Sequence, residues 1–170
     1  MKALIKYPGA KVQTNFILWR EYTMETRFLM GKVNPEGYKA MVGLEKYLMT
    51  TSIDEILKEL IKIRASQING CAYCIDLHTK DARKLGETEQ RIYALNAWRE
   101  TPFFTQEERA VLALTEAITL VAETHVPDEV YEEVRKFFKE EQIAEIIMQI
   151  VAINAWNRIG VSTRLMPEKR

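Results

Sequence analysis

The hydrophobic positions of this chain recur mostly at the three- and four-residue spacing of amphipathic helices, and convincing strand alternation is absent. Asn34-Pro35 predicts the start of a helix that runs to about Leu48. Ser52 and Glu55 have the spacing of a capping box, so Ser52 is expected to begin a second helix. The apolar stripe of that helix consists of Ile56, Leu57, Leu60, Ile61, Arg64 and Ile68. These patterns predict an all-α fold, a compact multi-helix domain.

Turn-forming residues divide the rest of the chain into further helices. Gly70 is expected to end the second helix, and a third begins close to Cys71 and continues to about Leu85. Thr105 begins another capping-box pattern, and Pro127 suits a first helical position. With the apolar periodicity, these signals predict the remaining helices at 88–98, 105–121, 128–138 and 143–158.

The first 23 residues differ from the rest, because their periodicity is weak and they contain the turn-forming pair Pro8-Gly9. We expect residues 1–23 to form an N-terminal arm or extension and residues 24–170 to form one helical domain. With 47% of its residues hydrophobic, the chain has enough apolar area for one core.

The charges balance, with 24 Lys and Arg against 24 Asp and Glu. Zero net charge gives no electrostatic footprint for nucleic acid or an anionic membrane, so we expect neither as a partner. It also supplies little repulsion between copies, which favours a homo-oligomer. No apolar run is long enough to span a membrane, and the N-terminus lacks the apolar stretch of a signal peptide. We therefore expect a cytoplasmic protein.

The chain has two cysteines, Cys71 and Cys74, three residues apart at a predicted helix start. Free amides and the helix dipole favour a thiolate there, and the spacing allows a disulfide. The alternatives are a zinc site and a pair of inert core cysteines. A structural zinc site usually needs four ligands, whereas this chain offers the pair with His78 nearby and His125 far along the sequence. This count favours redox chemistry and leaves a metal site open.

Two ionisable residues flank the pair. His78 follows Cys74 by four residues and so shares its helix face, where an imidazole can take a proton from a thiol. The alternative is a core histidine bonded to a backbone carbonyl. Glu59 lies at the border of the preceding apolar stripe, so we expect desolvation to raise its pKa towards a range useful for proton transfer. The alternative is a surface pair with Lys62.

Supporting roles are expected for Arg64 and Tyr73. Arg64 points into the middle of an apolar stripe and needs an anionic partner, which predicts a structural clamp for a carboxylate or for helix C-terminal carbonyls. Tyr73 lies between the cysteines and could donate a hydrogen bond or simply pack. Polar residues that interrupt the last helix are expected to line an interface or to cap its end: Asn154, Trp156, Asn157 and Arg158.

The segment 59–78, ELIKIRASQINGCAYCIDLH, resembles the core motif of alkylhydroperoxidase D-type proteins, which belong to the carboxymuconolactone decarboxylase superfamily. Glu59, the Cys-x-x-Cys pair and His78 fall at that family's relative spacing, a combination far more specific than Cys-x-x-Cys alone. A looser resemblance extends from about Val33 to Arg164 and does not cover residues 1–23.

The resemblance implies an all-helical alkylhydroperoxidase D-like fold that assembles as trimers or hexamers. It also implies that Cys74 attacks a hydroperoxide, that Cys71 resolves the sulfenic acid as a disulfide, and that His78 and Glu59 form a proton relay. One departure is Tyr73, which stands where the well-studied peroxidase has a second histidine. The decarboxylase branch lacks the cysteine pair, which disfavours that activity here.

These observations predict a thiol-dependent peroxidase or disulfide oxidoreductase. Its substrate would be a hydroperoxide or a small disulfide, a dithiol reductant protein would supply electrons, and no cofactor or metal is expected. One alternative is a non-catalytic oligomeric redox sensor or scaffold that uses the same pair. Another is a metal site.

Overall fold

The computed structural model describes residues 25–169, and every regular element in that range is helical. The all-α prediction is therefore confirmed for this part of the chain. The predicted arm, residues 1–23, lies outside the described residues. Among the described residues, no helix is long and apolar enough to cross a membrane.

Nine α-helices follow one another along the described part of the chain. They are α1 (Met30–Val33), α2 (Pro35–Leu48), α3 (Glu55–Asn69), α4 (Ala72–Lys84), α5 (Glu89–Ala94), α6 (Gln106–Thr119), α7 (Val121–Thr124), α8 (Asp128–Arg135) and α9 (Glu140–Thr163). A 3₁₀ segment, Leu95–Glu100, continues from α5. The single helix predicted over 88–98 is thus wrong in its second half, because Ala97 leaves helical geometry with φ −121° and ψ 34°.

Helix α3 is the centre of the fold and packs against α4, α6 and α9. Leu60, Ile61 and Ile63 on α3 have no solvent exposure, so its apolar surface is wider than one stripe. Burying each such side chain stabilises the fold by about 1.5–3 kcal/mol. One apolar cluster joins α3 to α6, α8 and α9 and includes both cysteines, and a second lies beside α5 and the 3₁₀ segment. The cysteine pair is therefore anchored in the core.

The capping residue of α3 differs from the prediction. The Asp54 carboxylate accepts a hydrogen bond from the backbone N–H of Leu57 at 3.0 Å, so Asp54 is the N-cap. Ser52 instead donates its N–H and its hydroxyl to Glu145 on α9. Because the helix begins two residues later than expected, Ser52 ties the α2–α3 loop to α9. The second predicted capping box, at Thr105 on α6, is confirmed.

The last two helices also differ in length from their predictions. Pro127 precedes α8 as its N-cap, with extended ψ of 143°, and α8 ends at Arg135 rather than Phe138. Phe138 instead packs into the core from the loop. Helix α9 starts earlier and ends later than predicted, at Thr163, where Arg164 adopts a left-handed conformation with φ 55°. This longer C-terminal end brings α9 to the cysteine pair.

Candidate redox site

The turn between α3 and α4 positions the two cysteines. Gly70 takes φ 66°, a conformation that glycine adopts without strain, and ends α3. The backbone N–H of Cys71 then donates to the Ser66 carbonyl at 3.0 Å. Cys71 is the N-cap of α4 and Cys74 lies in its first turn. The pair thus stands at a helix N-terminus, where unpaired amides stabilise a thiolate.

The two sulfurs are bonded as a disulfide, with the Cα atoms of Cys71 and Cys74 5.4 Å apart. Both residues are buried, at 2% and 5% exposure respectively. Cys74 lines a cavity of about 600 Å³, whereas Cys71 is not among the cavity's lining residues. Of the two cysteines, therefore, Cys74 is the one that a small molecule in the cavity can contact.

The cavity over Cys74 is mostly apolar and is built from distant parts of the chain. Helix α2 contributes Tyr38, and α9 contributes Trp156 and Gly160. The rings of Tyr38 and Trp156 meet edge to face with centroids 5.4 Å apart. The Trp156 indole N–H donates to Glu45 Oε1 at 2.8 Å, which fixes the ring as a wall of the cavity.

The segment 27–32 closes one side of this cavity. Its residues Phe28 to Lys32 contribute lining atoms. Arg27 holds the segment to the end of α9, because its backbone N–H donates to the Thr163 carbonyl at 2.8 Å and its guanidinium donates to the Ser162 carbonyl at 2.9 Å. Sequence reasoning missed this segment, since nothing in its pattern indicates which helix it contacts.

His78 and Glu59 are brought together beside the cavity. His78 lines the cavity with Cys74, and its Nδ1 lies 2.9 Å from Glu59 Oε2. An ionised carboxylate only accepts hydrogen bonds, so we assign the proton of this bond to Nδ1. In that tautomer of the neutral imidazole, Nε2 carries no proton. His78 is therefore bonded to a carboxylate and not, as the alternative had it, to a backbone carbonyl. Glu59 also pairs with Lys62 at 2.8 Å, but it is only 6% exposed and so is not a surface pair.

The expected direction of the Glu59 pKa shift is wrong. Burial does raise the pKa, as predicted, and is the largest single influence. The hydrogen bond with His78 and the charges of Lys62 and His78 together outweigh it and hold the pKa of Glu59 below its ordinary value. Glu59 is therefore a carboxylate at neutral pH, suited to orienting the imidazole and stabilising its protonated form.

Arg64 has the predicted anionic partner. Its Nε donates to Glu116 Oε1 on α6 at 2.8 Å, and its Nη1 donates to Asn96 and Gln67. Arg64 does not line the cavity, so its contacts are those of a clamp between helices. Tyr73 does line the cavity and packs against the apolar cluster that includes the cysteines.

A buried amide network locks α9 to the end of α3, directly before Cys71. The Asn69 amide donates to Asn157 Oδ1 at 2.9 Å and to Asn154 Oδ1 at 3.0 Å. Asn157 in turn donates to Ser66 Oγ at 2.9 Å, and Asn154 donates to Thr119 Oγ1 at 3.0 Å. Asn154 and Asn157 therefore lie inside the fold. The expectation that they cap the end of the last helix is wrong.

One group of metal-ligand side chains comes together in the described part of the chain. Ligand atoms of Glu59, His78 and Asp81 lie within 4.8 Å of one another, and neither cysteine belongs to the group. Lys62 and Lys84 already pair with the two carboxylates. The sulfurs of the cysteine pair are bonded to each other, and the group of ligand atoms in the described residues consists of Glu59, His78 and Asp81.

Comparison with known proteins gives consistent results. The model of the carboxymuconolactone decarboxylase family matches residues 35–117. The uncharacterized protein YdfG of Bacillus subtilis is 52% identical over 139 residues, which cover 82% of this chain and 95% of that protein. The crystal structure of a protein of unknown function from Agrobacterium tumefaciens, described as a candidate AhpD antioxidant defence protein, is 42% identical with a TM-score of 0.84. The match covers 86% of this chain and all of that one.

A second structural neighbour is an enzyme, a debrominase. The debrominase Bmp8 is 27% identical with a TM-score of 0.73, over 82% of this chain and 74% of that one. The match of the family model agrees with the likeness to the AhpD-like crystal structure, which covers 86% of this chain. The chain therefore belongs to the carboxymuconolactone decarboxylase family, within its alkylhydroperoxidase D-like members.

Proposed function

We propose that this protein is a thiol peroxidase that reduces organic hydroperoxides through Cys74 and Cys71. One observation carries the proposal. Cys74, in the first turn of α4, lines an apolar cavity together with His78, and Glu59 is hydrogen-bonded to Nδ1 of His78. A nucleophile, a base and a residue that orients the base are thereby gathered at one cavity.

In the first step, the free Nε2 of His78 accepts the Cys74 proton, directly or through a water. The thiolate attacks the terminal peroxide oxygen and the O–O bond breaks. The leaving alkoxide takes the proton from the imidazolium and departs as an alcohol, while Cys74 becomes a sulfenic acid. Glu59 stabilises the imidazolium while it carries the proton.

In the second step, the Cys71 sulfur attacks the sulfenic sulfur of Cys74. The S–S bond forms, the S–O bond breaks, and hydroxide leaves as water with the Cys71 proton. The product is the disulfide of the structure. An external dithiol, which we expect to be carried by a reductant protein, then restores both thiols by exchange and is itself oxidised.

The cavity supports a bulky substrate. Its volume of about 600 Å³ and its largely apolar walls fit an alkyl or aryl hydroperoxide, which gains free energy by leaving water, better than hydrogen peroxide. We further propose a homo-oligomer, which the balanced charge favours, with the three or six copies that the family resemblance implies. We also propose a reducing cytoplasmic setting, where a close cysteine pair can cycle.

The test compares two serine variants in single-turnover reactions. Reduced protein is mixed with one equivalent of cumene hydroperoxide, and the thiol state is followed by mass spectrometry. Cys74→Ser should consume no peroxide, whereas Cys71→Ser should consume one equivalent and stop at a sulfenic acid. If Cys74→Ser consumes peroxide at the normal rate, the proposal is wrong. If the native protein shows negligible turnover while its oligomer size depends on the disulfide, the redox-sensor alternative replaces it.

A second candidate is reductive debromination, which the similarity to the debrominase and the aromatic cavity walls favour. There the two thiols would supply two electrons, so that an aryl bromide and both thiols give an arene, bromide, a proton and the disulfide. Replacing cumene hydroperoxide by a bromopyrrole in the same reaction distinguishes the two activities, because only debromination releases bromide.

A further inference from the structure

Gly160, in the last turns of α9, faces the sulfur pair without a side chain. A Cβ atom placed on it would lie 3.1 Å from Cys71 Sγ and 3.8 Å from Cys74 Sγ. The first separation is shorter than an ordinary van der Waals contact, and the second is ordinary. Glycine weakens a helix interior relative to alanine, and residue 160 lies within the helix. The close approach of Cys71 Sγ is therefore the feature of this site that favours glycine over alanine at position 160.

Helix α9 is held on both sides of Gly160. One turn before it, Asn157 bonds to Ser66 and Asn69 on α3. Just after it, Arg27 bonds to the carbonyls of Ser162 and Thr163. Because these bonds hold the helix against α3 and the segment 27–32, they oppose the shift of α9 that would make room for a methyl group at position 160. The crowding falls on Cys71 Sγ instead.

We propose that Gly160 is a positioning residue for the resolving cysteine, which leaves the space that Cys71 Sγ occupies when it bonds to Cys74. This inference rests on the proposed redox cycle of the pair. In the disulfide both sulfurs are fixed, whereas in the dithiol the Cys71 side chain can rotate to another rotamer. A methyl group at position 160 therefore disfavours the disulfide more than the dithiol.

The same crowding slows resolution. When Cys71 attacks the sulfenic acid of Cys74, its sulfur must enter the space beside Gly160 as the S–S bond forms and water leaves. Gly160 exchanges no electrons or protons in this step. Its effect is confined to whether Cys71 reaches its partner, which separates it from His78 and Glu59.

The experiment compares Gly160→Ala with Gly43→Ala. Gly43 lies within α2 and has nothing within 4 Å of its Cβ position, so it carries the same chemical change without crowding. Each protein is equilibrated with a dithiothreitol redox buffer and the disulfide fraction is measured by alkylation and mass spectrometry. For Gly160→Ala we expect the disulfide to be disfavoured about tenfold, a rise of about 30 mV in the reduction potential. Gly43→Ala should stay within about twofold of the native protein. Equal potentials for the two variants overturn the proposal.

Sulfenic acid trapping provides the kinetic test. After one equivalent of cumene hydroperoxide, the Cys74 sulfenic acid should be trapped in larger yield in Gly160→Ala than in Gly43→Ala, because Cys71 competes less well with the trap. The redox-buffer equilibrium needs no hydroperoxide. If the native protein does not reduce hydroperoxides, the proposed peroxidase function is wrong. The redox-buffer equilibrium still tests the role of Gly160 in that case.

A thermal unfolding cycle covers the case in which oxidised Gly160→Ala does not fold. In a Cys71→Ala background, where the crowded sulfur is absent, Gly160→Ala should raise the unfolding temperature, as Gly43→Ala does in the native protein. In the native oxidised protein it should fail to do so. If Gly160→Ala lowers the unfolding temperature equally in both backgrounds, Cys71 is not what position 160 accommodates and the inference is wrong.

Discussion

Two carboxylates, the buried Glu59 on α3 and the partly buried Glu116 on α6, have similar electrostatics and different partners. For each, burial raises the pKa and hydrogen-bond partners more than offset it, so the pKa lies below its ordinary value. Glu116 accepts from Trp98, Arg99 and Arg64. Glu59 is held by His78 and Lys62.

The difference lies in whether the partners can exchange a proton. The guanidinium and indole groups around Glu116 act only as hydrogen-bond donors, so that cluster contains no group that could take a proton from a nucleophile. An imidazole can both accept and donate a proton, and the one beside Glu59 lines the cavity with Cys74. A lowered carboxylate pKa therefore does not identify a functional site. The proton relay at Glu59 differs from the structural clamp at Glu116 in two ways. Its neighbouring group can transfer a proton, and that group lies at the same cavity as a nucleophile.

The largest expected effect is on stability, at the clamp. Glu116→Ala leaves Arg64, whose side chain is 14% exposed, without its anionic partner, and should destabilise the fold by on the order of 3 kcal/mol in urea unfolding. The matched control is Glu132→Ala, which removes an exposed partner of Arg135 and should change the free energy of unfolding far less, because solvent screens that pair. Similar losses in both would mean that the Glu116 cluster is not a structural clamp.

Next is a rate effect at the relay. Glu59→Gln keeps the shape of the side chain but removes the charge that stabilises a protonated His78, so hydroperoxide reduction should slow by about 100-fold. Glu116→Gln makes the same change at the other carboxylate and should leave the rate of the folded protein nearly unchanged. Stopped-flow peroxide consumption measures both. Equal slowing of the two variants would contradict a specific role for Glu59.

The smallest expected effect is on pH dependence. Because the pKa of Glu59 is lowered in the folded protein, the carboxylate contributes stability above the pKa of an unfolded glutamate. This contribution is lost as the pH falls through the lower pKa of the folded state. The free energy of unfolding of the native protein and that of Glu59→Gln should therefore converge by about 1 kcal/mol below about pH 4. Parallel curves from pH 6 to about pH 3 would show that Glu59 is not stabilised as a carboxylate.

Local patterns predicted much of the fold. The start of α2 followed from Asn34-Pro35 and the end of α3 at Gly70 followed from Asn69-Gly70, because these signals act within a few residues. Predictions failed where a side chain found a distant partner, as Ser52 did with Glu145, or where polar residues of α9 were paired inside the fold. Periodicity indicates which face of a helix is apolar, but not which other helix covers it.

The same division holds at the site. The sequence by itself determined the cysteine spacing at a helix start and the place of His78 one turn after Cys74, since three- and four-residue spacings on one helix need no tertiary information. Only the tertiary structure decided that Glu59 reaches His78 and that Gly160 faces the sulfurs. It also decided the direction of the Glu59 pKa shift. Each of these depends on how separate helices pack, where burial and partner charges compete and their sum cannot be read from spacing.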